Sequence, residues 1–284
     1  MKITNKFNLP EAFRKAVEFN GHRQGDYSVT QLLKPSQEVA LSIMLDKVLE
    51  DDCIDRFWAL LGTAVHKVVE NYQPEGCANE YFMQTEIAGR TVTGTADIVD
   101  YVNERVVDYK TCSSWKFRLD GKDFSDWRNQ LKGYLYLLRT KGLHFNDGQI
   151  IAILRDWSQT EANRSSEYPQ TPVIKVNFHF EDSEIEEVPA KWEAKIKEIE
   201  DMLKKVAKGE NIGFCPDEET WTSSDSYAVM KEGRKTAVRV FSTKEEAEEF
   251  AKSGVYYIVE RKGEHKKCTG YCILAKNGFC RGEV

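Results

Sequence analysis

Asp97, Asp108 and Lys110 are the side chains of this sequence whose types and spacing best suit metal-dependent hydrolysis. They lie in the segment GTADIVDYVNERVVDYK, where apolar and polar residues alternate before and after residues 102–104. This alternation predicts a β-hairpin. Side chains alternate between the two faces of a strand, so Asp108 and Lys110 share one face, and in-register pairing brings Asp97 towards that face.

Two carboxylates on one face can hold a hard cation such as Mg²⁺ or Mn²⁺ through their oxygens. A cation in that position can bind a phosphate oxygen and lower the pKa of a bound water. The amine of Lys110 can then orient that water or help to deprotonate it. The alternative interpretation is an ordinary hairpin whose polar side chains only face solvent, and the pattern within the hairpin does not exclude it.

One predicted helix before the hairpin and one after it each carry a pair of polar residues. The segment LGTAVHKVVE contains His66 and Glu70, and the segment WRNQLKGYLYLL contains Gln130 and Tyr134. Residues at i and i+4 share a helix face, so each helix presents two polar groups to one side. Glu70 is equally explained as an exposed helix carboxylate, and Glu86 is a further candidate carboxylate near the hairpin.

Four motifs follow one another along the chain, in the order GxxxHxxxE, GxxD, DxK and QxxxY. Together they resemble the RecB-like branch of the PD-(D/E)XK nuclease superfamily, which includes CRISPR-associated exonucleases and phage-encoded members. The resemblance covers roughly residues 27–180 and implies a restriction-endonuclease-like α/β core. Asp108 stands where this branch often has Glu, an exchange that the superfamily accepts.

The resemblance also implies a role for each matching residue. The implied metal ligands are the side chains of His66, Asp97 and Asp108 and the main-chain carbonyl of Tyr109. The implied catalytic residues are Asp97, Asp108, Lys110, Gln130 and Tyr134. Within that set Lys110 acts on the attacking water, while Gln130 and Tyr134 position a DNA phosphate or the side chain of Lys110.

The order of predicted elements agrees with such a core. These elements are a helix with His66, strands near residues 81–88, 91–101 and 104–111, a helix with Gln130, and a strand at residues 149–154. They form an αβββαβ unit, which predicts a mixed sheet flanked by helices. We expect residues 1–212 to form this nuclease core with an N-terminal helical cap. Residues 213–284 are expected to form a small ββαβ appendage, and such a unit has little hydrophobic core of its own.

Four of the seven cysteines follow the predicted core, at positions Cys215, Cys268, Cys272 and Cys280. Four thiolates can close a tetrahedral zinc site or hold an iron–sulfur cluster. The resemblance implies a [4Fe–4S] cluster on one upstream and three C-terminal cysteines, although the spacing between Cys272 and Cys280 departs from the family pattern. Cys53 is a rival for the fourth ligand, and four ordinary thiols are the alternative to any bound metal.

Composition excludes several classes of protein. The formal net charge of −6 differs from the basic balance of proteins that bind nucleic acid by charge alone, so DNA contact requires a local basic surface and bound metal. The sequence has neither a signal peptide nor an apolar run of the ~20 residues that span a bilayer. We therefore expect a cytoplasmic protein without a disulfide framework and without membrane contact.

The sequence thus predicts a Mg²⁺- or Mn²⁺-dependent deoxyribonuclease. The resemblance implies an exonuclease of phage or mobile-element type that acts in recombination, repair or end processing. Its partners would be DNA and a recombinase, a helicase or a single-strand-binding protein. Two alternatives remain open: a structure-specific endonuclease on the same fold, and a non-catalytic DNA-binding or assembly subunit.

Overall fold

The computed structural model describes residues 1–18, 25–118, 123–252 and 254–280 of the chain. The chain divides into two compact units, Met1–Glu210 and Asn211–Val284. Among the described residues, no helix combines the length and apolar character needed to cross a membrane.

The first unit contains eight strands and eight α-helices within the described residues. In chain order they are β1 (Lys2–Thr4), α1 (Glu11–Glu18), β2 (Tyr27–Ser28), α2 (Val29–Leu32), α3 (Ser36–Met44), β3 (Glu50–Asp52), α4 (Phe57–Val69), β4 (Cys77–Ile87), β5 (Arg90–Asp100), β6 (Arg105–Cys112), α5 (Ser125–Arg139), β7 (Asp147–Leu154), α6 (Gln159–Arg164), β8 (Val173–His179), α7 (Asp182–Glu186) and α8 (Val188–Ala207). A short 3-10 helix, Ser114–Phe117, follows β6.

A mixed sheet forms the centre of this unit. Its strand order is β2-β5-β6-β7-β8, and β4 pairs with β5 as well. The β6–β7 and β2–β5 pairs are parallel, whereas β4–β5, β5–β6 and β7–β8 are antiparallel. The run α4, β4, β5, β6, α5, β7 has the predicted αβββαβ order. The predicted α/β fold with a mixed, helix-flanked sheet is confirmed.

Strand β5 has an opening along one of its edges. Strand β4 pairs with β5 from Arg90 to Asp100 and so occupies one edge. The other edge is shared by β2, at residues 92–93, and β6, at residues 98–100. Residues 94–97 therefore have no ladder partner on that edge among the described strands, and Asp97 lies in this opening.

Asp100 stabilises the hairpin turn between β5 and β6. Its carboxylate accepts hydrogen bonds from the Asn103 main-chain N–H at 3.0 Å and from Arg105 Nε at 3.0 Å. Glu104 has a φ of +50°, in the left-handed region that tight turns use. The turn at residues 101–104 lies where the break in alternation predicts it.

Helix α5 packs its apolar side on the sheet. Leu131, Leu135 and Leu138 are fully buried in the same core as Val106 and Ile150 of the sheet. Burial of a leucine side chain stabilises a fold by about 1.5–3 kcal/mol, so this face fixes where the helix lies. The polar residues of α5 that face the sheet are thereby held in register with the hairpin.

The N-terminal region is more mixed than the predicted helical cap. Ser28 does open a helix: its Oγ accepts from the Gln31 N–H, and the Gln31 side chain accepts from the Ser28 N–H. However, β1 and β3 form a two-stranded parallel sheet, and β2 joins the main sheet. Short strands thus lie between the helices of this region, because pairing with distant residues fixes these segments.

The second unit has a three-stranded antiparallel sheet. Its elements are β9 (Ser226–Met230), β10 (Arg239–Phe241), α9 (Lys244–Ala251), β11 (Tyr257–Arg261), α10 (Lys266–Gly270) and α11 (Ile273–Lys276). Strand β9 lies in the middle, between β10 and β11. Thr243 caps the start of helix α9, because its Oγ1 accepts a hydrogen bond from the Glu246 N–H at 3.4 Å.

Candidate active site

The register of β5 and β6 brings Asp97 and Asp108 opposite each other. The last ladder pair of these strands is Ile98 with Val107. One residue further, the same register sets Asp97 across from Asp108, and opposed residues of an antiparallel pair share one face. The hairpin thus brings both carboxylates and Lys110 to one face, as the alternation predicts.

Asp97 joins three elements through its two oxygens. Oδ2 accepts a 2.6 Å hydrogen bond from the main-chain N–H of Tyr109 on β6. Oδ1 lies 3.0 Å from Nδ1 of His66 on α4. The hydrogen bond to Asp97 raises the pKa of His66, because it favours the protonated imidazole, while partial burial opposes the shift. His66 of α4 and Asp97 of β5 therefore lie within hydrogen-bond distance of each other.

Asp108 is the most deeply buried carboxylate of the group. Its side chain is 3% exposed. Oδ1 accepts a 3.2 Å hydrogen bond from Gln130 Nε2, and Lys110 Nζ lies 2.5 Å from Oδ2. Burial raises the pKa of Asp108 to about 6, with a further increase from the negative charge of Asp97 and a decrease from the ammonium of Lys110.

Gln130 and Tyr134 are both buried on the inner side of α5. Gln130 Nε2 donates to Tyr134 Oη at 2.7 Å and to Asp108 Oδ1 at 3.2 Å. Gly94 allows this close approach of helix and sheet, since a Cβ at that position would lie 2.8 Å from Leu137 Cδ1 and 3.0 Å from Tyr134 Cε1. The glycine of the GxxD motif is therefore a packing requirement of the site.

The family model of the PD-(D/E)XK nuclease superfamily matches residues 60–223, more than half of the chain. This range contains every motif residue of the cluster around Asp97. The chain belongs to the PD-(D/E)XK nuclease superfamily. The superfamily predicted from the four motifs is confirmed.

Several solved structures are similar in part to this nuclease. SSO0001 has 16% identity and a TM-score of 0.45, over 67% of this chain and 84% of that one. The alkaline exonuclease LHK-Exo from Laribacter hongkongensis has 10% identity and a TM-score of 0.40, over 64% and 91%. The phage related exonuclease from Haemophilus somnus 129PT has 12% identity and a TM-score of 0.33, over 69% and 82%. No curated protein sequence matches this chain.

Glu80 lies beside His66 and Asp97, a position that the sequence pattern does not reveal. His66, Glu80 and Asp97 each have one potential ligand atom, and these three atoms all lie within 4.8 Å of one another. This spacing is close enough for a metal site. The pKa of Glu80 is raised by partial burial and by the charges of Asp97 and Glu70. Asp108 is outside this group of three, because its carboxylate faces Lys110 and Gln130.

The other two candidate carboxylates lie elsewhere. Glu86 pairs with Thr91 near the far end of the β4–β5 ladder. Glu70 follows α4 and forms a 2.7 Å ion pair with Lys67. Neither belongs to the group around Asp97. Residue type and strand parity could not distinguish Glu80 from Glu86, since the two have the same parity on one strand; only the pairing of β4 with β5 separates them.

The C-terminal cysteines lie within the second unit. Cys272 is buried, and Cys215, Cys268 and Cys280 are partly exposed. A 3-10 helix that begins shortly after Cys215, Asp217–Thr220, contacts α10, which carries Cys268. These cysteines do not appear as a group of three ligand atoms within 4.8 Å among the described residues. Cys53 belongs to the first unit, where it is fully buried and its thiol lies 3.3 Å from Asn5 Oδ1.

Proposed function

We propose that this superfamily member is a metal-dependent deoxyribonuclease, and that it works as an exonuclease. The single observation that carries the proposal is the convergence of His66, Asp97, Asp108 and Lys110 on one face of the β5–β6 hairpin. These groups combine cation ligands with an amine beside them, which is the set that phosphodiester hydrolysis needs. They come from three separate motifs, so coincidence on an ordinary hairpin is a poor explanation.

The residues fit a divalent cation. Asp108 Oδ2 is buried and receives no hydrogen bond of suitable geometry from the described residues, although Lys110 Nζ is near. A buried carboxylate needs positive charge beside it, which Lys110 supplies here and which a divalent cation would supplement. We propose that His66, Asp97, Asp108 and the Tyr109 carbonyl hold Mg²⁺ or Mn²⁺. When bound, this cation lowers the pKa of a water and stabilises negative charge on the phosphate.

The Tyr109 carbonyl belongs to this set because of strand geometry. In an extended strand the N–H and C=O of one residue point towards the same neighbouring strand. The Tyr109 N–H donates to Asp97 of β5. Its carbonyl therefore faces the β5 side as well, next to the carboxylate with which it would share the cation.

Lys110 and Gln130 would act on either side of Asp108. The Lys110 side chain is 25% exposed, so its ammonium can reach a water at the cation while it remains paired with Asp108. Gln130 donates to Asp108 Oδ1 and so fixes the carboxylate rotamer. Tyr134 is 4% exposed and contacts Gln130, so we propose that it supports Gln130 rather than binding a phosphate.

A DNA strand needs a local basic surface on this acidic protein. The Arg155 guanidinium lies 4.1 Å from the ring centre of Trp58, and the Trp58 side chain is 49% exposed. Trp58 lies near the start of α4, the helix that carries His66. The main-chain N–H of Arg155 donates to the Cys112 carbonyl at the end of β6. We propose that this aromatic and cationic pair contacts the strand that is cut, because bases stack on aromatic rings and arginine binds phosphate.

The decisive assay compares end-labelled linear DNA with closed circular DNA, each with Mg²⁺, Mn²⁺ or EDTA. An exonuclease degrades only the linear substrate and only with the cation. Cleavage of the circular substrate would instead support the structure-specific endonuclease. Absence of cleavage under every condition would favour the non-catalytic DNA-binding or assembly subunit. A role in phage or mobile-element recombination or repair, beside a recombinase, helicase or single-strand-binding protein, rests on the motif resemblance alone.

We also propose a metal or cluster site on Cys215, Cys268, Cys272 and Cys280. It is supported by the contact between the 3-10 helix after Cys215 and helix α10, which brings both ends of the second unit together. His265, at the start of α10, reinforces this contact, since its Nδ1 lies 3.0 Å from Thr220 Oγ1. A [4Fe–4S] cluster is favoured over zinc by the family resemblance, because the thiolates by themselves suit both.

A further inference from the structure

The carboxylate of Glu80 lies beside His66 and Asp97 of the candidate active site. None of the four sequence motifs contains Glu80. We propose that Glu80 is an additional ligand of the divalent cation, on the β4 side of Asp97. This inference rests on the proposed metal-dependent function. It extends that function by a residue that the chain supplies beyond the motif set.

The first argument is the position of Glu80 in the sheet. On either side of it, β4 and β5 pair as Asn79 with Ile98 and Tyr81 with Ala96. The same register sets Glu80 across from Asp97, just as the β5–β6 register sets Asp97 across from Asp108. Three carboxylates on three adjacent strands therefore form one row, with Asp97 in the middle.

The second argument is the distance between the ligand atoms. Glu80, His66 and Asp97 each offer one atom, and the three atoms lie within 4.8 Å of one another. Two ligands at ~2.2 Å from one ion lie at most ~4.4 Å apart, so a small movement of an exposed glutamate closes this set around one cation. The Glu80 side chain is exposed, so it has room for that movement.

The third argument concerns Asp108, a neighbouring carboxylate whose near cation is the Lys110 ammonium. Asp108 Oδ2, in a side chain that is 3% exposed, receives no hydrogen bond of suitable geometry from the described residues. A buried carboxylate oxygen that receives no well-directed hydrogen bond can accept a divalent cation beside Lys110, in the opening of β5. Glu80 lies on β4, along the opposite edge of β5, and faces Asp97 from there.

The backbone of Glu80 has a φ of +48°, and the ladder is interrupted where Glu80 faces Asp97. A structural role as a turn-like residue within β4 is therefore the competing explanation. Asparagine separates the two explanations, because it tolerates the left-handed conformation better than most residues but removes the carboxylate. Glu80→Asn should preserve the backbone and lose the ligand.

The test measures Mn²⁺ binding to the full chain by the electron paramagnetic resonance signal of free Mn²⁺. We expect Glu80→Asn to weaken Mn²⁺ affinity by roughly 10-fold or more, as removal of a group that supports a metal site does. Glu86→Gln is the matched control, being the same residue type on the same strand but paired with Thr91, and should bind as the parent does. Thermal unfolding in EDTA should show that Glu80→Asn is as stable as the parent.

The outcomes distinguish this inference from the proposed function. If Asp108→Ala abolishes Mn²⁺ binding but Glu80→Asn binds as tightly as the parent, Glu80 is a structural residue and the inference fails alone. If Glu86→Gln weakens binding as much as Glu80→Asn, the effect is general electrostatics, and the inference also fails. If the parent itself binds no Mn²⁺, the inference and the proposed metal-dependent function both fail.

Discussion

The main-chain N–H of Tyr109 donates a 2.6 Å hydrogen bond to Oδ2 of Asp97, beyond the last ladder pair of β5 and β6. A side chain thus replaces the main chain as the link between the two strands at this point. The bond orients the carboxylate so that its other oxygen faces His66 at 3.0 Å. Asp97 is therefore held from both sides before any cation binds, which reduces the reorganisation that binding requires.

Replacement of Asp108 or Lys110 should remove catalysis and leave the fold intact. We expect Asp108→Ala and Lys110→Ala each to lower the rate of DNA cleavage by at least ~10²-fold, because each removes a group that acts on developing charge. Single-turnover cleavage of end-labelled DNA measures the rate, and circular dichroism checks the fold. Parent-like rates in both variants would disprove the assignment of this hairpin as the active site.

Gln130 and Tyr134 should matter less than the residues that they hold. Gln130→Ala removes the donor to Asp108 Oδ1, and Tyr134→Phe removes the hydroxyl beside Gln130. Since both residues position other groups, we expect a milder loss of turnover than for Asp108→Ala. The same single-turnover assay decides the point. A loss as complete as that of Asp108→Ala, in either variant, would mean that the residue acts directly on the reaction.

The metal-free protein should be more stable when Asp108 is neutral. The pKa of Asp108 rises from 3.8 to about 6 on folding, so the folded state binds the proton more tightly. Parent stability therefore falls as pH rises between these two values, by on the order of 2–4 kcal/mol. Asp108→Asn, which resembles the protonated acid, should unfold at a higher temperature than the parent above about pH 6 in EDTA.

The same experiment supplies its own control. Below about pH 3 the parent carboxyl is protonated in both states, so the advantage of Asp108→Asn should disappear there. Thermal unfolding monitored by circular dichroism across this range gives the comparison. An Asn variant that is less stable than the parent at high pH in EDTA would contradict the cost of the buried charge.

The C-terminal cysteines give a prediction about bound metal. Protein purified without oxygen should carry about one zinc, or about four irons with sulfide and absorption near ~400 nm, per chain. Cys272→Ser should lose that metal and unfold at a lower temperature, because the binding energy of a structural site is largely folding energy. Mn²⁺ binding should persist, since other ligands hold that ion.

Elemental analysis and thermal unfolding check this prediction together. The prediction is wrong if freshly purified parent contains neither zinc nor iron and Cys272→Ser is as stable as the parent. The four cysteines would then be ordinary thiols.

The sequence by itself determined the local part of the site. Strand alternation brings Asp108 and Lys110 to one face because successive side chains point to opposite sides, whatever the strand packs against. Helix periodicity likewise pairs Gln130 with Tyr134, which lie 2.7 Å apart through Nε2 and Oη. The order of helices and strands followed from the same local periods, whereas the resemblance to the superfamily came from the four motifs.

Tertiary structure alone decided which residues from distant parts of the chain join these locally paired groups. Glu80 faces Asp97 and Glu86 does not, because the long-range register of β4 on β5 chooses between two glutamates of equal parity. Gln130 meets Asp108 because Gly94 lets α5 approach the sheet, a contact between residues that no local period relates. Local periods fix which face a side chain occupies, whereas packing and register between separate segments fix what lies opposite it.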